Sequence, residues 1–556
     1  MDTGSSMPCQ NFVIAGDSFA AISAVKILTQ TIIPQARKKK NPSFQAKITV
    51  IAPNTESYWN IASVRLVVQP ELIQEKNNQI FFNLYDTLRT YFPEKDVDQL
   101  NLIEGKVVAV DGYKNKITYQ PLGNTAFAFI AKSISYDTLI LATGASSPSA
   151  AFKLNNTTES SKNALQATAD EIESARSICI VGAGAVGVEL AGELGHKYGR
   201  TKKITLFSGI PGTLEYMKPS ASSSAVKKLA HLGVKTVLDV RAICSYDEII
   251  ETTGDEDLGD ANKSSLTHQE IEAQSSTIKE HEDRAYLNLS HKVSQLGDDA
   301  FDVDQFLGIN GNKNHDNTQC FQSATFNKSL QDCTTSANNS KPGQPKSSLT
   351  LHSTTNIITG STTDLHRNDT NISQTRNEFK KSKSLTLPSP SKAAEKGIDS
   401  KHRKRTIAEF DNGHKEAFDF LIPTTGNIPN TSYMPYNTLN DKGYVLTDPY
   451  LRMLNSNPNK NIYIFGDLVA SGKQTLLDIA NAQTKVLQRT LYYDIVNQVK
   501  KPLKKYNPDR PTYLVPISKN SGVGVLYGIP LPGLVVSVLK GKSFLLEQSS
   551  KYLGEK

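Results

Sequence analysis

The chain has 556 residues, enough for two to four domains with a sizeable core. Lys plus Arg number 62 against 55 Asp plus Glu, and the resulting net charge of +7 is too mild to point to nucleic acid. The five cysteines (Cys9, Cys179, Cys244, Cys320, Cys333) are scattered without C-x-x-C or metal-ligand spacing, which argues against a disulfide framework, a zinc site and a redox-active dithiol.

In chain order, residues 1–10 carry an acid and no apolar core, so they read as neither a secretory signal nor an Arg-rich presequence. No run of about 18 apolar residues follows, so no membrane-spanning helix is expected. A cytoplasmic location, or a peripheral one on an intracellular membrane, is the corresponding expectation. Asn11-Phe12-Val13-Ile14-Ala15-Gly16 reads as a strand entering a turn, and Asp17 to Leu28 as the following helix. The turn is a worn dinucleotide fingerprint, G-x-S-x-x-A, in which Ser18 and Ala21 are still small enough for close backbone approach. The next strand, Lys47 to Ala52, ends at Pro53-Asn54 without the ribose-binding acid, for which Asn54 is a weaker substitute. Arg37 to Lys40 and Lys401 to Arg405 read as solvated basic runs, the second also passing for a nuclear-targeting pattern.

Alternating residues from Asn101 to Gln120 around Asp111-Gly112 predict a hairpin. Tyr136 to Gly144 is a buried-strand run closing on Ala142-Thr143-Gly144, followed by a polar connector over Ser146 to Glu173. Ser177 to Val181 then runs into an intact G-x-G-x-x-G at Gly182, Gly184 and Gly187, with a helix pattern behind it. Strand, tight turn and helix start are the context in which this fingerprint means dinucleotide binding. The first glycine makes the turn, the second admits the pyrophosphate, and the third lets helix meet sheet. Ser208 and Gly209 follow the next strand where an acid would favour NAD and an arginine NADP; neither is present, so the choice stays open.

From Tyr246 to Arg403 the sequence is rich in Ser, Thr, Asn, Gln, Lys and His, too polar to offset its ordering entropy, and is expected to be a disordered insertion. Arg405 to His414 and Phe418 to Gly426 read as strands, the second closing on Thr424-Thr425-Gly426. Asn461 to Gly466 is another strand, ending in Gly466-Asp467 before a helical run from Gln474 to Ile495. The tail from Pro511 to Lys556 alternates apolar and Gly/Pro-rich pieces. Its apolar stretch Val523 to Leu539 admits three readings: a bilayer-surface contact, a dimer contact or a buried cap.

The order of worn turn, A-T-G strand, intact turn, T-T-G strand and Gly-Asp resembles the pyridine nucleotide–disulfide oxidoreductase superfamily. Tyr58-Trp59-Asn60-Ile61-Ala62-Ser63-Val64-Arg65, Val188 to Glu193, and Lys519 to Gly524 with Leu539 to Lys542 narrow the resemblance. They are similar to the apoptosis-inducing-factor-like and ferroptosis-suppressor-like branch, over about Asn11–Cys244 and Thr406–Phe544. The resemblance implies an α/β fold of two Rossmann-like dinucleotide-binding domains with a small α+β C-terminal cap and a long disordered insertion. It divides the chain into an FAD-binding domain at 8–150 and 431–505, and an NAD(P)-binding domain at 151–245 and 404–430. The insertion occupies 246–403 and the cap 506–556.

By the same resemblance, FAD would meet Gly16, Ser18 and Ala21 at its pyrophosphate, Ala142, Thr143 and Gly144 near the flavin, and Gly466 and Asp467 at the ribityl chain. NADH or NADPH would meet Gly182, Gly184 and Gly187, with Glu189 in the helix start, and Arg65 would be a fixed cation near the FAD. Plainer readings stand beside these: helix packing for Glu189, a surface ion pair for Arg65, an N-cap for Asp467 and a core aromatic for Trp59. Lys473-Gln474 is either a flavin-edge contact or a solvated helix start. No Ser-His-Asp or Cys-His signature singles out a catalytic side chain, and no metal ligand set is present. The implied activity passes hydride from NAD(P)H to flavin and electrons on to a quinone-like acceptor. Its rival is a non-enzymatic redox-sensing or cell-death signalling protein that keeps the fold. Peripheral membrane contact and a homodimer are open as partners, and nucleic acid is not expected.

Overall fold

The computed structural model describes residues 9–74, 79–122, 130–251, 402–455, 460–496, 502–508 and 511–554. The first strand, β1 (Gln10–Ala15), is buried along its last four residues because parallel partners and helices cover it on all sides. It pairs in parallel with β2 (Ala46–Ala52) on one edge and with Thr138–Leu141 on the other. The complete sheet has seven strands, in the order Ile462–Ile464, Thr138–Leu141, β1, β2, Leu100–Asp111, Lys116–Pro121, Lys132–Ser135. The predicted hairpin forms its antiparallel end, and the Asp111 carboxylate caps the turn by accepting from the backbone N–H groups of Tyr113 and Lys114. Ile462–Ile464 rejoins this sheet from late in the chain, so the first sheet is completed only after the strands of the second.

The second sheet is wholly parallel, in the order Val234–Val237, Lys203–Phe207, Ser177–Val181, Phe420–Pro423. The two sheets repeat one device. In the first, the N–H of Ala142 donates to Ala15 O, and a Cβ on Gly16, whose φ is +146°, would lie 2.3 Å from Ala142 O. In the second, the N–H and hydroxyl of Thr424 both donate to Val181 O, and a Cβ on Gly187 would lie 1.9 Å from Gly182 O. At both places the backbone approaches so closely that a side chain is excluded.

Two expectations change. The connector after Gly144 contains a 17-residue helix, Thr158–Ser174, capped by the Thr157 hydroxyl, which accepts from Ser160 N–H. Leu165, Ala169 and Ile172 give it a narrow buried stripe at helical spacing, which its polar remainder masks in the sequence. The polar region also begins later and ends earlier than its composition indicates. Ala242–Glu251 pairs antiparallel with His402–Phe410, which pairs with Lys415–Phe418. Residues such as Glu248 and Ile249 are exposed, so the strand lacks an apolar run. The expected insertion otherwise falls on residues 252–401, outside the described residues.

At the C-terminus, Tyr513–Ile517, Ser521–Leu526 and Ile529–Leu531 form an antiparallel sheet followed by short helical turns to Leu553. Val523, Val525 and Val536 are buried within this cap, while Ile529 and Val538 are exposed. Among the described residues, no helix is long and apolar enough to cross a membrane.

Arg65 ties three parts of the chain together. Its guanidinium donates to both carboxylate oxygens of Glu193, at 2.9 and 2.8 Å, and to the carbonyls of Gly541 and Lys542, at 2.6 and 2.7 Å. The Arg65 and Glu193 side chains are 2% and 0% exposed. A buried pair broken on one side leaves an unpaired charge in low dielectric, so Arg65→Ala is expected to cost about 3–5 kcal/mol in denaturant unfolding. The double substitution Arg65→Met with Glu193→Leu is expected to recover most of that loss; a simple sum of the two single losses would contradict this account.

Candidate functional site

A cavity of about 610 Å³ opens where the two sheets and the cap converge. This is within the range of small-molecule sites. Its wall carries residues from the first turn (Gly16, Asp17, Ser18), from the end of β2 (Asn54) and from the strand end Ala142–Gly144. Asp467, Glu189 and Lys540 complete it from the rejoining strand, the second glycine helix and the cap. Gly16 and Lys540, 524 positions apart in sequence, thus share one wall only because the chain re-enters the first sheet and then wraps the cap over the junction.

The strand end Ala142–Gly144 is locked in place by the segment that follows the last strand of the second sheet. The Thr143 hydroxyl donates to Asn430 O at 3.0 Å, and the Asn430 amide returns a bond to Thr143 O at 2.8 Å. Ser146 Oγ donates to Asn430 Oδ1 at 2.6 Å, and the Thr143 and Tyr433 hydroxyls are 2.9 Å apart. Gly466, at φ +86°, holds the next strand end against Ala20, and its N–H donates to Gln483 Oε1 at 2.8 Å. Asp467 then faces the cavity, paired with Lys153 Nζ at 2.6 Å.

The second charged pair lies on the helix behind the intact fingerprint, Ala185–Tyr198. Glu189 and Glu193 are four residues apart and therefore on one face. Glu193 goes to Arg65, while Glu189 Oε1 accepts from Lys540 Nζ at 2.6 Å at the cavity wall. Burial holds the Glu189 carboxyl above the usual range, opposed by the Lys540 ammonium. At the opposite end Asp17 Oδ2 accepts from Asn54 Nδ2 at 2.6 Å, and burial pushes its carboxyl up to about 6, against the lowering effect of the Asn54 amide.

Of the residues singled out in the sequence, Gly16, Ser18, Ala142, Thr143, Gly144, Glu189 and Asp467 line the cavity. Ala21 and Gly466 stand immediately behind its wall: Ala21 Cβ is 3.3 Å from where a Gly16 Cβ would be. Gly182, Gly184 and Gly187 form the second turn outside this lining, although Ala185 and Val186 reach it. Arg65 departs from expectation. It is not in the lining, because four of its N–H groups are already taken by Glu193 and two cap carbonyls. Trp59 is both core and wall: 2% exposed, donating Nε1–H to Phe544 O at 3.2 Å and stacked on Tyr552. Gln474 lines the cavity. Lys153, Lys540 and Asp17 were not picked out as site residues. The lysines carry no local motif, and Asp17 stands at the variable position of the fingerprint. Among the described residues no cysteine lines the cavity; Cys320 and Cys333 lie outside them.

Residues 11–273 match the family described as pyridine nucleotide-disulphide oxidoreductase. Oxidoreductase ptaL of Pestalotiopsis fici is 28% identical over 234 residues, which are 42% of this chain and 58% of that protein. Ferroptosis suppressor protein 1 of Xenopus tropicalis is 24% identical over 247 residues, 44% of this chain and 56% of its own length. The chain thus spans little more than half the length of these curated relatives. The sulfide:quinone oxidoreductase of Aquifex aeolicus superposes with a TM-score of 0.52 at 12% identity, covering 99% of this chain and 93% of that one, which shows a shared fold. FAD and NADH or NADPH are the cofactors that this match implies, and the cavity lining carries groups that suit a dinucleotide. It runs from a glycine turn past paired charges, and the buried Asn54 Oδ1 in its wall has no hydrogen-bond partner.

The raised Asp17 carboxyl has a consequence for stability without ligand. Between the ordinary value of 3.8 and about 6 the native state binds more protons than the unfolded chain. The contribution of Asp17 therefore falls as pH rises through that window. In thermal melts of ligand-free protein, Asp17→Asn is expected to gain on the wild type from about pH 4 to about pH 6, with a constant difference above. A difference independent of pH would show that Asp17 is not buried in this way.

Proposed function

We propose that the protein is an FAD-dependent oxidoreductase that takes hydride from NADH or NADPH and delivers electrons to a diffusible, quinone-like acceptor. The observation that carries this reading is the single cavity joining the first glycine turn, the A-T-G strand end and Asp467 to Glu189 and Lys540 beside the second glycine helix. FAD, when bound, supplies the two-electron relay between nicotinamide and acceptor.

The chain supplies binding and orientation. Gly16 and Ser18, with Ala21 behind them, leave room for a pyrophosphate against the start of the first helix, and Asp467 is the acceptor for ribityl hydroxyls. Lys153 fixes the Asp467 carboxylate in place. Gly466 and Ala142–Gly144 hold two strand ends close enough for a flat ring system to rest on backbone. Gly182, Gly184 and Gly187 form the corresponding cradle for the nicotinamide dinucleotide. Glu189 fixes Lys540 Nζ at the wall, where the ammonium can donate a hydrogen bond to a group gaining negative charge. The absence of a cysteine from the described lining, and its apolar parts, favour a small organic acceptor over a dithiol relay.

The visible spectrum of the purified full chain is the first test. A flavin band that bleaches under anaerobic NADH or NADPH is expected, the faster donor giving the preference. A colourless protein that cannot be reconstituted with FAD would overturn the proposal in favour of a non-enzymatic role for the fold. Lys540→Met and Glu189→Gln are each expected to slow bleaching by about tenfold or more with flavin content unchanged. Unchanged rates would remove the pair from the mechanism.

A further inference from the structure

A ribose bound at a dinucleotide turn presents two vicinal hydroxyl donors, and the usual acceptor is an acid at the end of the second strand. Here β2 ends at Ala52, followed by Pro53 and Asn54, and no acid stands there. The carboxylate present at this end of the cavity comes instead from inside the turn, at Asp17. Its backbone is pinned from two sides: Gly16 N–H donates to Ile51 O at 2.9 Å, and Ser57 Oγ–H donates to Asp17 O at 2.6 Å. Its side chain is aimed at Asn54, whose amide N–H₂ donates to Asp17 Oδ2 at 2.6 Å. Both residues line the cavity.

Asn54 is 3% exposed, and its Oδ1 accepts no hydrogen bond. A buried acceptor without a donor is costly unless a ligand supplies one. At neutral pH the Asp17 carboxyl, pushed up to about 6, is mostly ionised and can only accept, which fixes the amide with its N–H₂ toward Asp17 and its oxygen free. The Asp17 carboxylate and the unpartnered Asn54 Oδ1 thus stand together at one end of the cavity, one anionic acceptor and one neutral.

We propose that Asp17 and Asn54 together form the ribose-diol acceptor of the first dinucleotide site, with Asp17 supplying from within the glycine turn the carboxylate that the end of β2 lacks. This rests on the reading of the cavity as an FAD site. It also explains how a worn fingerprint keeps its ligand: the variable position of the turn supplies the acid that the end of β2 lacks. An anionic acceptor there selects a free diol and repels a ribose carrying a further phosphate.

The test uses full-length protein stripped of flavin and titrated, by flavin fluorescence, with FAD and with an FAD analogue whose adenosine ribose lacks the 2′- and 3′-hydroxyls. Wild type is expected to prefer FAD by about tenfold or more. Asp17→Ala is expected to lose a similar factor for FAD while binding the analogue as wild type does. Asn54→Ala is expected to lose part of the preference. Asp17→Asn keeps the shape of the turn, and should show a reduced preference even where Asp17→Ala fails to fold, with far-UV circular dichroism and melting as the check. Equal binding of FAD and the analogue by wild type would overturn the proposal, as would an equal loss for both ligands in Asp17→Asn, which would mean a packing role. A folded wild type that binds neither would overturn the FAD reading itself, a result distinct from any loss confined to the variants.

Discussion

The buried guanidinium of Arg65 is the constraint on which the rest of the structure depends. It comes from the helical turn Ser63–Leu66, its carboxylate partner Glu193 comes from the helix Ala185–Tyr198, and its carbonyl partners Gly541 and Lys542 come from the C-terminal segment. An ion pair of this kind gains little net stability over an apolar contact, yet it tolerates no loss of a partner. In this arrangement both other parts supply partners to the charge, and loss of any of them leaves it unsatisfied. Phe544 closes the site from one side, with the guanidinium 4.5 Å from its ring centre.

That arrangement also places the chemistry. Glu189 lies four residues before Glu193 on the same helix, and Lys540 lies next to the two carbonyls that Arg65 engages. Fixing Arg65 therefore fixes the Glu189–Lys540 pair at the cavity wall. The cavity has two lysine–carboxylate pairs, one at Asp467 and one at Glu189, while Asp17 is met by the amide of Asn54. Burial raises the Asp17 carboxyl, and the neutral amide of Asn54 offsets only part of that rise. Both strand ends that floor the cavity are tied by side chains from elsewhere, Asn430 for one and Gln483 for the other. Such cross-bonding keeps this backbone rigid where the proposed cofactor would rest on it.

The elements most legible in the sequence were those with strong local signals. Buried parallel strands run apolar throughout, so Asn11 to Ala15, Thr138 to Leu141 and Ser177 to Val181 announced themselves. The glycine turns did so because close backbone contact admits no Cβ at Gly16 or Gly187. The helix Thr158–Ser174 and the strand Ala242–Glu251 were missed for the converse reason. Each buries a narrow stripe or is exposed on both faces, and neither leaves a hydrophobic period strong enough to read. Arg65 was recognised as significant, but its position in a family-like stretch suggested a ligand contact where the fold uses it as a clasp.

The sequence by itself determined the two strand–turn–helix units, their order and the kind of ligand such turns suit, because these rest on contacts between residues close along the chain. Only the tertiary structure decided which polar groups meet. Lys540 is 351 residues from Glu189, Lys153 is 314 from Asp467, and Asn54 is 37 from Asp17. Pairings at such separations carry no local pattern. They depend on the late return of Ile462–Ile464 to the first sheet and on the cap closing over the junction. Burial, which shifts the carboxyls of Asp17 and Glu189, exists only once that closure has removed water from them.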